Sequence, residues 1–412
     1  MKTGKEGALH LAYCTKIHPA NGWPELFESI RSYVPVLKSR LCPDQPFGIA
    51  LRLSATESVQ LLEPSRFREF KDFLIEQNLY VFTVNGFPYG SFYGQPVKAQ
   101  IFAPDWRDER RVQYTLQLIE ILWQLLPPGT EGSISTLPLS YKSWITNDNR
   151  GEAMAKIVHN LVRVVEALVA VRREQGLNIH LDIEPEPDGL LENCREFIQF
   201  YRQWLLTYGA PVLAGKMNVP LAAARRHILN HVRLCLDTCH LAVTYEEPSQ
   251  VLSLLEEEGI SVGKVQVASG LKALLPESPA NRIGLYQSLE QFANSFYLHQ
   301  VIGRSSRAVA GRFPDLGAAL PHLAGCRDEE WRIHYHMPLF VEQYRMLQST
   351  QAETLEVLQL LRDRGFTRHL EIETYTWQQL PEDLKIDLFS SLLKEYQWVL
   401  AAMGPFNRSD GS

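Results

Sequence analysis

The 412-residue sequence predicts an α/β fold in which eight parallel strands close into a (β/α)8 TIM barrel. Short apolar runs alternate with amphipathic stretches along the chain, a pattern typical of parallel βα units. The sequence contains eight such runs, which is the number that closes this barrel. An open doubly wound sheet is the alternative, but no G-x-G-x-x-G fingerprint follows the first run.

The strand candidates are short apolar runs that end at turn residues or at a stretch of helical periodicity. They are residues 8–14, 47–53, 80–86, 132–138, 177–185, 232–238, 262–269 and 369–375. The intervening helix candidates include residues 65–78, 110–126 and 149–176. The last of these keeps apolar residues at i, i+3 and i+4 spacing and stops at Gly176, a residue that commonly ends helices.

An insertion is expected between the seventh and eighth strands. The interval between them is about a hundred residues, whereas ordinary loops in such folds have ~2–6. We therefore predict an extended insertion at about residues 271–345, with extra strands in FYLHQVIG (296–303) and EWRIHYHMPLF (330–340). Because no Pro/Ser-rich linker, low-complexity tract or internal repeat interrupts the chain, residues 1–412 are predicted to form a single domain.

Composition and charge narrow the classes of function. The net charge of -6 disfavours a nucleic-acid partner, since such proteins usually carry a basic surplus. The six cysteines are scattered and lack zinc-knuckle spacing, which indicates a reduced, cytoplasmic protein. The N-terminal stretch has no signal-peptide core, and no apolar window is long enough for a transmembrane helix, so no membrane insertion is expected.

Polar side chains share one face in four of the strand candidates, opposite the aliphatic residues. They are His180, Asp182 and Glu184; Cys235 and Asp237; Lys264 and Gln266; and Glu371, Glu373 and Tyr375. In a barrel this face points inward, where several carboxylates cannot all ionise side by side without a cation. The pattern therefore predicts a divalent metal site at the C-terminal strand ends, where barrel chemistry occurs. Taken singly, such a residue could instead cap a helix or lie at the surface.

The segments DTCH (237–240) and RIHYHMP (332–338) supply further candidate ligands. His334 and His336 are two residues apart in an extended segment, so they share a face, and neutral imidazole suits zinc, manganese or iron. They could equally be two histidines of a polar loop. Cys239 would need a base and an orienting group to act as a nucleophile, and its neighbour His240 is poorly placed to be that base.

These motifs resemble the xylose isomerase-like TIM barrel superfamily, which includes sugar isomerases and epimerases, hydroxypyruvate isomerase and endonuclease IV. The resemblance rests on IEPEP with Glu184, DTCH with Asp237 and His240, VQVAS with Gln266, H-x-H with His334 and His336, and IET with Glu373. It implies a central metal site at Glu184, Asp237, Gln266 and Glu373, and a second position at His240, His334 and His336. The implied cofactor is one divalent ion (Mn, Zn, Mg, Co or Fe), with a second ion compatible.

Two segments more closely resemble the EboE family, which is named from a bacterial gene cluster linked to secondary-metabolite traffic. They are YCTKIHPANGW near the start and HLEIETYTWQQLP near the end of the chain. This resemblance implies a role in secondary metabolism and a functional link to other ebo-cluster proteins. Endonuclease IV has two further zinc-binding histidines, and VNGFPYG and STLPLSY contain none at those places, so its full trinuclear site is not implied.

The predicted activity is a metal-dependent isomerisation or epimerisation of a sugar, sugar phosphate or cyclitol-like polyol. Glu184 and Glu373 are the predicted catalytic pair that exchanges a proton with the substrate. The predicted substrate contacts are Lys16, His18, Asn85, Tyr89 and Trp377. The alternatives are a metal-dependent phosphoesterase or endonuclease IV-like hydrolase, and a non-catalytic metabolite-binding or traffic protein. The sequence is compatible with a homo-oligomer.

Overall fold

The computed structural model describes residues 1–4, 8–90, 98–293, 297–306 and 308–404. The strands of these residues form two sheets, one of nine strands and one of six. The strands are β1 (Lys2–Thr3), β2 (Leu9–Tyr13), β3 (Phe47–Arg52), β4 (Leu79–Asn85), β5 (Gly132–Thr136), β6 (Ile179–Ile183), β7 (Val232–Asp237), β8 (Val262–Val267), β9 (Ser269–Leu274), β10 (Val301–Ser305), β11 (Ala308–Phe313), β12 (Glu330–Met337), β13 (Gln343–Tyr344), β14 (Leu347–Ser349) and β15 (His369–Ile372).

The nine-stranded sheet is the barrel. Its order is β1-β2-β15-β8-β7-β6-β5-β4-β3, and every pair within it is parallel except that of β1 with β2. A parallel bridge between Cys14 and Ala50 connects the end of β2 to β3 and brings the two sides of the sheet together. All eight strand candidates contribute one strand each, so the predicted α/β barrel is confirmed.

The helices follow the barrel strands as the βα pattern requires. They are α1 (Trp23–Leu41), α2 (Ala55–Leu61), α3 (Pro64–Glu76), α4 (Glu109–Leu125), α5 (Arg150–Gln175), α6 (Cys194–Phe200), α7 (Ala210–Met217), α8 (Leu221–His231), α9 (Thr238–Val243), α10 (Pro248–Glu257), α11 (Arg282–Glu290), α12 (Leu316–Ala319), α13 (Gln351–Arg364) and α14 (Leu388–Met403). The predicted end of α5 is confirmed, since Gly176 follows it with φ 70°, a conformation that glycine adopts without strain. Within the described ranges, no helix has both the length and the apolarity to cross a bilayer.

The insertion between β8 and β15 forms the second sheet, with the order β11-β10-β12-β9-β14-β13 and antiparallel pairing. Of the two extra strands expected there, 330–340 contains β12, whereas 296–303 overlaps β10 only at residues 301–303 and begins at a residue outside the described ones. Four more strands are present, and β9 begins only two residues after β8 ends. The description of residues 1–412 as one domain stays a prediction.

The barrel interior is polar, whereas its outer face is apolar. Leu181 and Ile183 of β6 belong to the main hydrophobic cluster with the surrounding helices, and the insertion has its own cluster around Trp331. Between the aliphatic residues of β6, Asp182 points inward, where its carboxylate contacts His180 Nδ1 at 2.6 Å and accepts a hydrogen bond from Ser133 Oγ at 2.6 Å. The alternation of β6 therefore places its polar residues inside the barrel, as predicted.

Candidate metal centre

Three carboxylates meet at the C-terminal ends of the barrel strands. Asp237 is the last residue of β7, while Glu184 and Glu373 follow β6 and β15 within two residues of their ends. One carboxylate oxygen from each lies within 4.8 Å of the others, and the three residues are 2–3% exposed. Such an arrangement is unfavourable without positive charge, because burial and mutual repulsion both oppose ionisation.

Burial and mutual repulsion raise the pKa values of two of these carboxyl groups. Burial, followed by the charges of Glu373 and Asp237, raises the pKa of Glu184 well above its ordinary value. Burial, followed by the charge of Glu373, raises the pKa of Asp237 in the same way. A divalent cation would stabilise the ionised forms and remove the repulsion.

Asp237 has two roles, one for each of its oxygens. Oδ1 caps helix α9 by accepting hydrogen bonds from the backbone N–H groups of Cys239 (2.7 Å) and His240 (3.2 Å). Oδ2 is buried and has no hydrogen-bond partner within the described residues. It lies 3.9 Å from His336 Nε2, which is likewise buried and without a partner in that part of the chain. The sequence left open whether Asp237 is a cap or a ligand, and the geometry permits both.

Three histidines present unprotonated nitrogens to the same region. The Nδ1 atoms of His240, His334 and His336 lie 3.0, 2.8 and 2.5 Å from Pro185 O, Gln300 Oε1 and Glu373 O, respectively. Because carbonyl oxygens only accept hydrogen bonds, each ring carries its proton on Nδ1 and leaves a lone pair on Nε2.

The Nε2 atoms of His240 and His334 are only 3.0 Å apart. Both are lone-pair atoms in the neutral tautomers, so no hydrogen bond joins them and a cation would relieve their repulsion. Burial lowers the pKa of both histidines well below the ordinary value, which favours these neutral forms. The donor set therefore fits a metal ion.

Two of the predicted substrate contacts lie against Glu373. Lys16 Nζ is 3.2 Å from Glu373 Oε1 and 3.8 Å from the centre of the Tyr375 ring. Asn85 Nδ2 donates to the same Oε1 at 3.3 Å. Although burial opposes the ammonium charge of Lys16, the carboxylate of Glu373 raises the pKa of the lysine. Glu373 Oε1 thus accepts hydrogen bonds from a charged donor, Lys16, and from a neutral donor, Asn85.

Gln266 faces the barrel interior, opposite Asp237 on β7 and Glu371 on β15. Its Oε1 accepts a hydrogen bond from the Cys235 thiol at 2.9 Å, and its Nε2 has no hydrogen-bond partner among the described residues. Metal ligation through Oε1 would have to replace the thiol contact. The role of Gln266 as a ligand stays a prediction.

The other predicted substrate contacts have neighbours outside this carboxylate–histidine group. His18 Nε2 pairs with the Tyr13 hydroxyl at 2.9 Å, and its ring packs on Tyr33. Tyr89 packs against Tyr114. Trp377 Nε1 donates to a backbone carbonyl of the same loop. The roles of His18, Tyr89 and Trp377 in substrate binding therefore stay predictions.

Cys239 is buried in a small apolar cluster with Val243, Ala268 and Ile302. Burial, and then the charge of Asp237, raises the pKa of its thiol well above the usual value. Its sulfur also lies within 4.8 Å of a nitrogen of each of His334 and His336. The environment disfavours the thiolate that a nucleophilic role would need.

Two residues of this region were not among the sequence candidates. Glu186 is 5% exposed, and one of its oxygens lies within 4.8 Å of nitrogens of His240 and His334. Gln300 orients His334 through the hydrogen bond described above. The available signal for Glu186 was its spacing, since residues two apart in extended backbone share a face and Glu186 follows Glu184 in IEPEP. No comparable signal marked Gln300.

We call Glu184, Glu186, Asp237, His240, His334, His336 and Glu373 the mouth cluster.

The fold and the mouth cluster define the protein as an α/β barrel with a buried carboxylate–histidine centre at the C-terminal ends of its strands. No protein-family profile and no curated protein sequence matches the chain. Solved structures of low sequence identity resemble it in fold. An L-ribulose 3-epimerase is 10% identical with a TM-score of 0.50, over 96% of this chain and 94% of that chain.

Two other solved structures have lower structural scores. A D-tagatose 3-epimerase-like protein is 12% identical with a TM-score of 0.49, over 97% of this chain and 98% of that chain. The IOLI protein with a bound zinc atom is 11% identical with a TM-score of 0.47, over 97% of this chain and 99% of that chain. At these identities the similarity concerns the fold.

The buried titratable groups predict that metal-free protein is most stable near neutral pH. Burial raises the pKa of Asp182 to about 7 and that of Glu186 to about 8, so the folded chain holds protons that the unfolded chain releases. The contribution of Asp182 and Glu186 to the free energy of unfolding is fully present below their ordinary pKa values. It decreases as the pH rises and is lost once the pH passes their folded-state pKa values of about 7 and about 8. The buried histidines act oppositely, because the unfolded chain binds protons below about pH 6.5 that the folded chain excludes. Their pKa values are lowered for His10, His18, His180, His231, His240, His299, His334, His336 and His369.

Urea unfolding in the presence of a chelator, between pH 5 and 9, measures this dependence. We expect a maximum free energy of unfolding near pH 6.5 to 7, with a decline of a few kcal/mol on either side. Saturating divalent metal should reduce the alkaline decline, since the cation replaces the proton of Glu186 in the mouth cluster but not that of Asp182. Glu186→Gln should reduce that decline without metal. A free energy that rises steadily from pH 7 to 9 in metal-free protein would contradict the assignment.

Proposed function

We propose that the protein is a metal-dependent isomerase or epimerase of a sugar, sugar phosphate or related polyol. The observation that carries the proposal is the group of three buried carboxylates, Glu184, Asp237 and Glu373, within 4.8 Å of one another at the barrel mouth. A divalent cation held there would polarise a substrate carbonyl and stabilise negative charge that develops beside it.

Glu373 and Glu184 have environments suited to opposite proton-transfer roles. Lys16 and Asn85 both contact Glu373 Oε1, which places a cationic donor and a neutral donor beside the carboxylate that would act as the base. In the metal-free protein, burial and then the charges of Glu373 and Asp237 raise the pKa of Glu184, so this carboxylate readily takes up a proton and can return it. We therefore assign Glu373 as the group that removes a proton from carbon and Glu184 as the group that returns one.

The relative position of these residues agrees with that assignment. In the barrel, β7 and β8 lie between β6, which precedes Glu184, and β15, which precedes Glu373. The two carboxyls can therefore approach a substrate from different sides. Return of the proton to the neighbouring carbon, with transfer of the hydroxyl proton between the two adjacent oxygens, gives isomerisation. Return of the proton to the opposite face of the same carbon gives epimerisation.

Access to the cluster requires movement of the side chains above it. Every member of the mouth cluster is at most 5% exposed. Tyr375 is half-buried and packs against His336, with ring centres 4.7 Å apart, and against Lys16 Nζ. We infer that Tyr375 and Lys16 are displaced when a substrate enters, and that the Lys16 ammonium then contacts substrate oxygen atoms.

Solvent deuterium exchange tests the reaction. Metal-loaded protein incubated in D₂O with ketopentoses and ketohexoses should incorporate deuterium at carbon, which NMR or mass spectrometry detects. Because an L-ribulose 3-epimerase shares the fold, ketoses are the first substrates to try. Glu184→Gln and Glu373→Gln should each reduce exchange ~10²-fold or more, since each removes one proton-transfer group.

The control is Asp182→Asn, which changes a buried carboxylate deeper on the same face of β6 and should retain exchange. The proposal is wrong if metal-loaded protein exchanges no proton with any sugar, sugar phosphate or cyclitol. It is also wrong if both glutamine variants exchange at the wild-type rate.

A metal-dependent phosphoesterase is the second candidate, and the facing imidazoles of His240 and His334 favour it. In that case the protein would release product from phosphodiesters, and His334→Ala and His336→Ala would abolish the release. A role in secondary-metabolite traffic with other ebo-cluster proteins is a hypothesis that rests on the EboE resemblance of the two terminal segments.

A further inference from the structure

Glu186 is a buried carboxylate that the proposed proton transfer does not use. It lies in the EPEP segment after β6 and is 5% exposed. Its Oε1 is 3.7 Å from His334 Nδ1, and its Oε2 is buried without a hydrogen-bond partner in the described ranges. An ionised carboxylate in such a place is costly unless a cation or donor compensates it.

The two imidazoles beside Glu186, those of His240 and His334, each have a nitrogen lone pair that no proton neutralises. Backbone or amide oxygens hold the protons of His240 and His334 on Nδ1, so their Nε2 lone pairs face each other at 3.0 Å. Gln300 cannot rotate freely to change this, because its Nε2 donates to Pro187 O at 3.0 Å and keeps its Oε1 toward His334. One oxygen of Glu186 and one nitrogen of each imidazole lie within 4.8 Å of one another.

His240 Nε2 also lies 4.0 Å from Asp237 Oδ2, so His240 borders the carboxylate group as well as Glu186. His336 faces the carboxylate group. Its Nε2 is 3.9 Å from Asp237 Oδ2, and neither atom has a hydrogen-bond partner among the described residues. Oxygen and nitrogen ligands bind divalent transition metals at about 2.0–2.2 Å, so one ion can bridge atoms at this separation. His336 is therefore placed to bind the same ion as the three carboxylates Glu184, Asp237 and Glu373.

We propose that Glu186, His240 and His334 bind a second divalent cation, and that His336 is a ligand of the first cation together with Glu184, Asp237 and Glu373. The proposal rests on the proposed function in so far as the mouth cluster binds metal at all. It replaces His336 by Glu186 in the second ligand set that the family resemblance implies.

The two positions differ in the metal that they favour. Two imidazole nitrogens and one carboxylate suit Zn²⁺, Co²⁺, Mn²⁺ or Fe²⁺ better than Mg²⁺, whereas three carboxylates also accept Mg²⁺. The second position also joins separate parts of the fold, because His334 lies on insertion strand β12 and Glu186 follows barrel strand β6. Binding there would couple the insertion to the barrel.

Metal titration of the full-length, metal-stripped protein tests the proposal. Isothermal calorimetry and metal analysis with Co²⁺ should give two ions per chain for the wild type and one for Glu186→Gln, with the second ion weakened ~10²-fold or more. Cobalt absorption should report nitrogen ligation that falls in the variant. Glu186→Asp keeps the charge and should recover the second ion with reduced affinity.

Glu395→Gln is the matched control. Glu395 is also buried, also has a carboxylate oxygen without a partner in the described residues, and burial also raises its pKa to about 8. It belongs to none of the candidate ligand groups found in that part of the chain, so its substitution should leave two ions bound. Thermal unfolding of each variant checks that the fold is retained.

The outcomes separate this inference from the proposed function. A single ion in the wild type, or two ions of unchanged affinity in Glu186→Gln, would overturn the role of Glu186. Two ions in the wild type and one in Glu186→Gln, without proton exchange on any polyol, would support the second position and reject the isomerase function.

Discussion

Replacing Glu184, Asp237 or Glu373 by its amide, one at a time, should remove the most tightly bound divalent metal. Each substitution deletes one of three converging negative charges while keeping nearly the same side-chain shape, so we expect the dissociation constant to rise ~10²-fold or more. Metal analysis after dialysis, together with chelator competition, measures this. Without metal, Glu184→Gln should be at least as stable as the wild type, since it relieves repulsion among buried carboxylates.

The control for this series is Asp182→Asn, which lies on the same strand and the same inward face as Glu184. Asp182 is equally buried, but it contacts Ser133 and His180 instead of the mouth cluster. Metal content should be unchanged in this variant. If Glu184→Gln, Asp237→Asn and Glu373→Gln all retain the wild-type metal content, the metal centre is wrongly assigned.

Lys264→Met should be the most destabilising single substitution in the barrel interior. Lys264 Nζ lies 2.5 Å from Glu371 Oε2 and donates to Ser135 Oγ at 2.9 Å, and the two charged side chains are 0% exposed. Although burial opposes the ammonium charge, the carboxylate of Glu371 raises the pKa of Lys264. Removing the lysine leaves a buried, uncompensated carboxylate, and we expect a loss of about 3–5 kcal/mol in the free energy of unfolding.

Urea unfolding compares this variant with two others. Lys272→Met removes a lysine whose side chain is 20% exposed and whose acidic partners are 3.8 and 3.9 Å away, so it should cost at most about 1 kcal/mol. Lys264→Met combined with Glu371→Leu removes both buried charges and should recover much of the loss. A cost below about 1 kcal/mol for Lys264→Met alone would show that the pair contributes little.

Asn85 connects the buried pair to the candidate metal centre. Asn85 Nδ2 is 3.4 Å from Glu371 Oε1 and 3.3 Å from Glu373 Oε1, and Asn85 Oδ1 accepts a hydrogen bond from the Phe87 backbone N–H. The amide is thereby oriented toward both carboxylates. Loss of Lys264 should consequently weaken metal binding in addition to lowering stability.

Local sequence patterns predicted the barrel because the same strand-then-helix pattern recurs eight times along the chain. Each of the eight strands is a short apolar run followed by helical periodicity, and alternation within β6 and β15 predicted which residues point inward. A period of two is a property of any extended strand, so Glu184 and Asp182 are assigned to one face without knowledge of their neighbours. The same two-residue spacing marks Glu186, which follows Glu184 in IEPEP.

The relations between distant residues were decided by the tertiary structure alone. Lys16 meets Glu373 across almost the entire chain, and His334 meets His240 only because strand β12 of the insertion reaches the barrel mouth. The tautomers of the three histidines depend on carbonyl oxygens from other segments, which no local pattern specifies. The sequence by itself therefore determined the fold class, the inward faces of the strands and most of the ionisable residues at the mouth, because these follow from local periodicity. The contacts of each candidate ligand, and the proposed division of these residues between two positions, follow from three-dimensional packing.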